Sequence, residues 1–190
     1  MSNIWNILVA IDAQSILDYN GKSLSGKPFN ISQNSAAPTQ LYNFFVNGIR
    51  LDQQVIHMIS NADIVGASQG TAELSINVQS GDVIRWRSTS LSKGLDKAVL
   101  LYQYSQTDGP GSIGPNSDGP APSDVYNSPL PLINTKNHAG TPQKQSVENF
   151  YWQGNAERPG KIRYSWAFMI VDSSNKVLGY CSWDPYIYVN

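Results

Sequence analysis

At 190 residues with a net charge of −1, from 13 basic and 14 acidic side chains, the chain suits one domain spanning 1–190. Charged residues make up 14% of it, against a usual ~25%. That leaves no basic patch for neutralising phosphates and argues against a nucleic-acid partner. No stretch approaches the ~18 apolar residues of a membrane span, and the opening MSNIWNILVAIDAQ lacks the basic region and long apolar run of an export signal. A cytoplasmic protein with no membrane partner is the expectation.

In chain order, Asn3–Ile11 is a short apolar run that fits a central or doubly buried strand. Residues 13–47 are irregular, with one helical turn expected near Gln14–Tyr19, and Val55–Ile59 reads as a second short strand. Over Thr71–Gln79, Ala72, Leu74, Ile76 and Val78 alternate with Thr71, Glu73, Ser75, Asn77 and Gln79, predicting one face in the core and one in water. Ser80–Gly81–Asp82 then supplies a turn, and Val83–Thr89 follows as a hairpin partner or as a strand in a second sheet. Ala98–Tyr104 and Phe150–Asn155 add two more strands.

Ile162, Tyr164, Trp166, Phe168 and Ile170 alternate along Ile162–Asp172, the polar tract to Lys176 turns the chain, and Val177–Val189 reads as a second aromatic strand. Seven or eight strands without a long amphipathic helix predict an all-β fold, an antiparallel β-sandwich of jelly-roll or immunoglobulin type. Ser105–Glu148 breaks the rhythm. It holds seven of the eleven prolines and is expected to form an extended Pro/Gly-rich arm on the sandwich, 105–148.

No catalytic motif is visible. QSGDVIRWR, at Gln79–Arg87, is similar to a corner of blue-copper sandwiches, yet no histidine follows Cys181, and the two histidines, His57 and His138, are isolated. Neither copper nor zinc spacing is present, so no metal or other cofactor is expected. Cys181 reads as a small buried apolar group, and His57 as a structural imidazole. Asp12, Asp82, Asp172 and Asp184 sit at strand ends or turns, where a carboxylate bonds backbone amides.

Asp108, Asp118 and Asp124 of the arm offer oxygen ligands for calcium, but at no EF-hand spacing. Arg85 and Arg87 share the face opposite Ile84 and Trp86, where a salt bridge to a neighbouring strand is the ordinary role and clasping an anion the sharper one. Arg85, Arg87, Asp184 and Tyr186 stand as the candidate ligand or interface residues.

Several blocks together resemble the PixA/AidA family of bacterial inclusion-body proteins. They are NILVAIDA (Asn6–Ala13), GTAELSINVQSGDVIRWRSTSLS (Gly70–Ser92), AVLLY (Ala98–Tyr102), FYWQGNA (Phe150–Ala156) and LGYCSWDP (Leu178–Pro185). The resemblance implies an abundant cytoplasmic protein, packed into crystalline inclusions in some members and tied to quorum-regulated or host-associated expression in others. It carries no catalytic residue onto this chain. The expectation is a non-enzymatic protein whose partner is itself, as a homo-oligomer, because weak net charge offers little repulsion between copies. The alternative is a carbohydrate-binding module that uses aromatic, Asn and Asp side chains on a glycan.

Overall fold

The computed structural model describes residues 2–92, 96–114 and 118–190, so Pro115 of the expected arm lies outside the described residues. Strands dominate, and the main ones follow the apolar alternation closely. They are β1 (Ile4–Ile11), β2 (Ile56–Ser60), β3 (Ser75–Val78), β4 (Val83–Ser90) and β5 (Lys97–Asp108), then β6 (Tyr126–Leu132) and β7 (Gln143–Asn149), and last β8 (Trp152–Arg158), β9 (Gly160–Asp172), β10 (Val177–Trp183) and β11 (Tyr186–Val189). Two short helices, α1 (Ala13–Tyr19) and α2 (Leu51–Val55), flank β1 and β2.

One sheet runs β8–β4–β1–β2, with Ser112–Ile113 and Ala121–Pro122 both pairing β8. The other runs β10–β9–β11–β3, extended at its ends by Thr39–Gln40 and Val65–Ala67, and β5 pairs the far edge of β9. The sheets are mixed, not antiparallel throughout as expected. β1 lies parallel to β4, β11 to β3, and β10 to Thr39–Gln40. The reason is at Ser80–Gly81–Asp82. There Gly81, at φ 91°, turns the chain out of the second sheet and into the first, so β3 and β4 never pair with each other.

The core draws on both sheets. The first sheet contributes Ile7, Val9, Ile11, Ile84 and Trp86, and the second contributes Ile76 and Val78 of β3 with Ile162, Tyr164, Trp166, Phe168 and Ile170 of β9; Ala72 and Leu74, just before β3, are buried as well. Trp86 of β4 meets Tyr164 and Trp166 of β9 edge-on at centroid distances of 6.2 and 5.8 Å, which locks the two sheets across the interior. β1 is central, as expected, but buries only one face: Ile7, Val9 and Ile11 are inside, while Ile4 and Leu8 face out at 50% and 41% exposure. The closing aromatic segment is broken at Asp184–Pro185, so β10 and β11 pair successive halves of β9. Proline has no N–H to give a ladder, and its carbonyl instead accepts from Tyr164 N–H at 3.2 Å.

Cys181 is fully buried in β10, and burial pushes its thiol well above its ordinary pKa. It packs, as expected, among apolar neighbours. The native chain should therefore resist thiol reagents at pH 8, and labelling should appear only at the rate of unfolding. Labelling complete within the mixing time would place Cys181 at the surface.

The Pro/Gly-rich segment was expected to avoid strands. It instead holds a two-stranded hairpin, β6–β7, in register from Tyr126↔Asn149 to Leu132↔Gln143. Pro129 and Pro131 are tolerated because β6 is an edge strand.

Candidate functional site

The candidate residues fall into two groups on different sheets. Arg85 and Arg87 lie on the outer face of β4, opposite the buried Ile84 and Trp86. Among the described residues no carboxylate pairs with either of them, so the expected salt bridge is absent. Arg85 Nε donates to Gln153 Oε1 at 2.8 Å, and its guanidinium sits 4.5 Å from the Tyr151 ring centre. Arg87 lies over Tyr126 and Tyr151 at 5.6 and 5.5 Å. Cation–π contacts of this kind each contribute roughly 0.5–1 kcal/mol at exposed sites. Tyr126 opens the β6–β7 hairpin and Tyr151 follows it, so the two arginines fasten the base of the arm to the first sheet. A hollow of about 380 Å³ beside them is lined by Leu8, Arg87, Phe150 and Trp152 among others.

Asp184 belongs to the second group, a charged cluster drawn from four parts of the chain. Arg50, just before α2, reaches Asp52 at 2.5 Å, Glu73 at 2.6 Å and Asp184 at 3.4 Å. Arg163 of β9 donates to Asp184 through Nε at 2.9 Å and also through Nη2. Asp52 and Asp184 are buried at 1% and 5% exposure. Ligand oxygens of Asp52, Glu73 and Asp184 lie within 4.8 Å of one another. Such a triad could hold a cation, but the Arg50 guanidinium already makes close contacts with all three. Two guanidinium charges answer three carboxylates, which is what a buried acidic group needs in order to stay ionised.

The pKa directions agree with that balance. Burial raises the Glu73 carboxyl, Arg50 opposes the rise, and the Asp184 and Asp52 charges add to it. Burial works to lower the Arg50 guanidinium, and the three carboxylates outweigh it, leaving it raised. The hydrogen bond to Asp184, followed by its charge, raises Arg163. Tyr42, above the cluster, is raised by burial and then by the Asp184 charge.

Beside the cluster a cleft of about 190 Å³ is lined by Tyr42, Thr107, Asp108, Arg163 and Asp184 with Gln40. Through Gln40, Ser165 and Ser182 it adjoins a hollow of about 340 Å³. Tyr186 stands opposite Arg163 in the β9–β11 register, with Lys161 Nζ 4.5 Å from its ring centre. The structure therefore brings Asp184 and Tyr186 to one site through Arg163, and keeps Arg85 and Arg87 at another.

Sequence reasoning missed Arg50 and Asp52, and it placed Glu73 on a face meeting water. Glu73 is instead one-quarter exposed and ion-paired. Their one signal is composition. In a chain with so few charges, an Arg-x-Asp beside apolar Leu51 marks an ion pair that is about to be buried.

Asp108, Asp118 and Asp124 do not come together; among the described residues the acidic group that does is Asp52, Glu73 and Asp184. His57 Nδ1 lies 3.1 Å from the Gly70 carbonyl, in the structural role expected of it, and His138 is exposed in the arm. Asp12 caps α1 through Ser15 N–H at 3.0 Å, and Asp172 closes its turn on Ser174 and Lys176. Among the described residues no helix is long and apolar enough to cross a membrane.

The mixed sheets and the shared aromatic core define an all-β fold also seen in a solved protein of the same length class. The crystal structure of an inclusion body protein (PixA) from Burkholderia cenocepacia J2315 superposes with a TM-score of 0.70 at 19% identity, covering 100% of this chain and 97% of that one. The family model described as "PixA: Inclusion body protein" matches residues 3–189. The chain belongs to the PixA inclusion body protein family. No curated protein matches it.

Proposed function

We propose that this chain is a non-catalytic protein whose folded copies associate with one another in the cytoplasm. The observation that carries the reading is the set of large apolar side chains left outside. Ile4, Leu8 and Ile59 are 50%, 41% and 45% exposed on neighbouring strands β1 and β2, with Leu8 and Ile59 directly opposite. Leu130, Leu132 and Val147 add a second exposed group on the arm. Large apolar side chains exposed side by side, as Leu8 and Ile59 are, mark an interaction site, and a net charge of −1 gives little repulsion to keep copies apart.

The charged cluster fits a structural role. Its arginines are committed to carboxylates, and the cleft beside it holds one aromatic ring, Tyr42, where a glycan platform would stack on several. Light scattering coupled to size exclusion, over a concentration series of the full chain, tests the reading. The expected result is a mass that climbs with concentration while tryptophan emission stays that of the folded chain. A single monomer mass up to millimolar concentration would overturn it.

A further inference from the structure

We propose that the free edge of β7 pairs antiparallel with β7 of a second copy, about a two-fold axis through Ser146, joining two arms into one four-stranded sheet. The inference deepens the self-association reading and rests on it.

The ladder register fixes which edge is open. Pro129 and Pro131 of β6 stand opposite Ser146 and Lys144. A proline nitrogen has no hydrogen to donate, so it fits a continuous ladder only where it points away from the partner strand. The β6–β7 hydrogen bonds therefore fall at the alternate pairs, Ser128↔Val147, Leu130↔Gln145 and Leu132↔Gln143. By the same alternation, the N–H and C=O groups of Lys144, Ser146 and Glu148 point outward along the far edge of β7.

The outward edge of β6 is closed by its two prolines, which is a known means of stopping a sheet from growing. β7 has no such block. Among the described residues it pairs with β6 alone, and every residue from Gln143 to Glu148 is exposed.

Charge then selects the occupant and the register. In an antiparallel self-pairing centred on Ser146, the three outward residues face one another as hydrogen-bonding pairs. Lys144 meets Glu148 of the second copy, Glu148 meets its Lys144, and Ser146 meets Ser146. Sliding the axis to Lys144 would set like charges opposite and shorten the overlap. Among the described residues, neither Lys144 nor Glu148 has an ion-pair partner within its own chain.

A two-stranded ribbon is marginal in water by itself, whereas four strands with an apolar face are not. Leu130, Leu132 and Val147 share one face of the hairpin and would double up on the joined sheet. The Arg85 and Arg87 contacts with Tyr126 and Tyr151 hold the base of the arm, so the edge is presented from a fixed mount.

Charge reversal tests the pairing. Sedimentation velocity is run on the full chain, on Lys144→Glu, on Glu148→Lys and on the double swap, with near-UV circular dichroism as the check on folding. Each single change puts like charges opposite twice per dimer and should weaken self-association about tenfold. The double swap restores complementarity and should recover wild-type association. If the wild-type chain associates and both single variants match it, or the swap fails to recover, β7 pairing is overturned while self-association stands. A wild-type chain that stays monomeric overturns both.

Discussion

Replacing Arg50 by methionine is expected to remove about 3–5 kcal/mol of folding stability near neutral pH, the scale seen when one partner of a buried ion pair is deleted. The cause is the arrangement of acids around it. Asp52, Glu73 and Asp184 would be left within 4.8 Å of one another with, among the described residues, Arg163 alone to offset them. The loss should also depend on pH in a definite direction. Burial already raises the Glu73 carboxyl, and losing Arg50 removes the influence that opposes the rise, so the folded variant binds that proton more readily than the unfolded chain does. Stability then falls as pH rises from the unfolded pKa through the folded one, and the deficit is largest at pH 7 and shrinks as pH is lowered toward 4. Urea unfolding of wild type and Arg50→Met at several pH values measures this. A deficit that stays constant with pH would mean that Arg50 acts by packing alone.

Asp82→Ala is expected to cost about 2–4 kcal/mol, because one buried carboxylate satisfies three donors from two sheets. Its oxygens accept from Asn3 N–H at 2.9 Å, the Trp5 indole at 2.8 Å and Gln79 N–H at 3.0 Å. Asn3 leads into β1 and Gln79 closes β3, so this side chain ties the start of the first sheet to the corner leaving the second. Burial alone would raise the Asp82 carboxyl, but the bonds from Gln79, Trp5 and Asn3 outweigh it and hold it below the ordinary value of 3.8. A carboxyl depressed on folding contributes stability that is present above its unfolded pKa and lost as pH falls through the folded one. Wild type should therefore lose stability below about pH 4 more steeply than Asp82→Ala does. Equal acid sensitivity in the two proteins would contradict this role.

Much of the fold was legible because burial imposes a period on the sequence. The alternations at Ala72–Val78 and Ile162–Ile170 survive as buried faces even where the regular strand is shorter, as in β3. Asp12, Asp82 and Asp172 were read as carboxylates that bond backbone amides, and each does so. What could not be read is whatever depends on strand order. The parallel pairing of β1 with β4 follows from a change of sheet at Gly81, and local pattern does not say whether a turn returns or crosses.

The charged cluster was hidden for a related reason. Arg50, Glu73, Arg163 and Asp184 are far apart in sequence, and only Asp184 had been singled out. Arg85 and Arg87 were placed on the right face, but with carboxylates in mind. Their actual neighbours, Tyr126 and Tyr151, come from a Pro/Gly-rich stretch in which no strand was expected. Prolines there looked like obstacles to pairing. In the hairpin they obstruct one edge and leave the other open.

Whether folded copies of this family member assemble is decided by amide hydrogen exchange on assembled and dispersed chain. The full chain is concentrated until it scatters light, and exchange is followed in the two fractions side by side. β1, β4 and β9 should be equally protected in both, with added protection in the assembled fraction confined to surface segments, Gln143–Asn149 among them. Loss of protection in β4 and β9 on assembly would show that unfolded chain is aggregating and that folded copies do not associate.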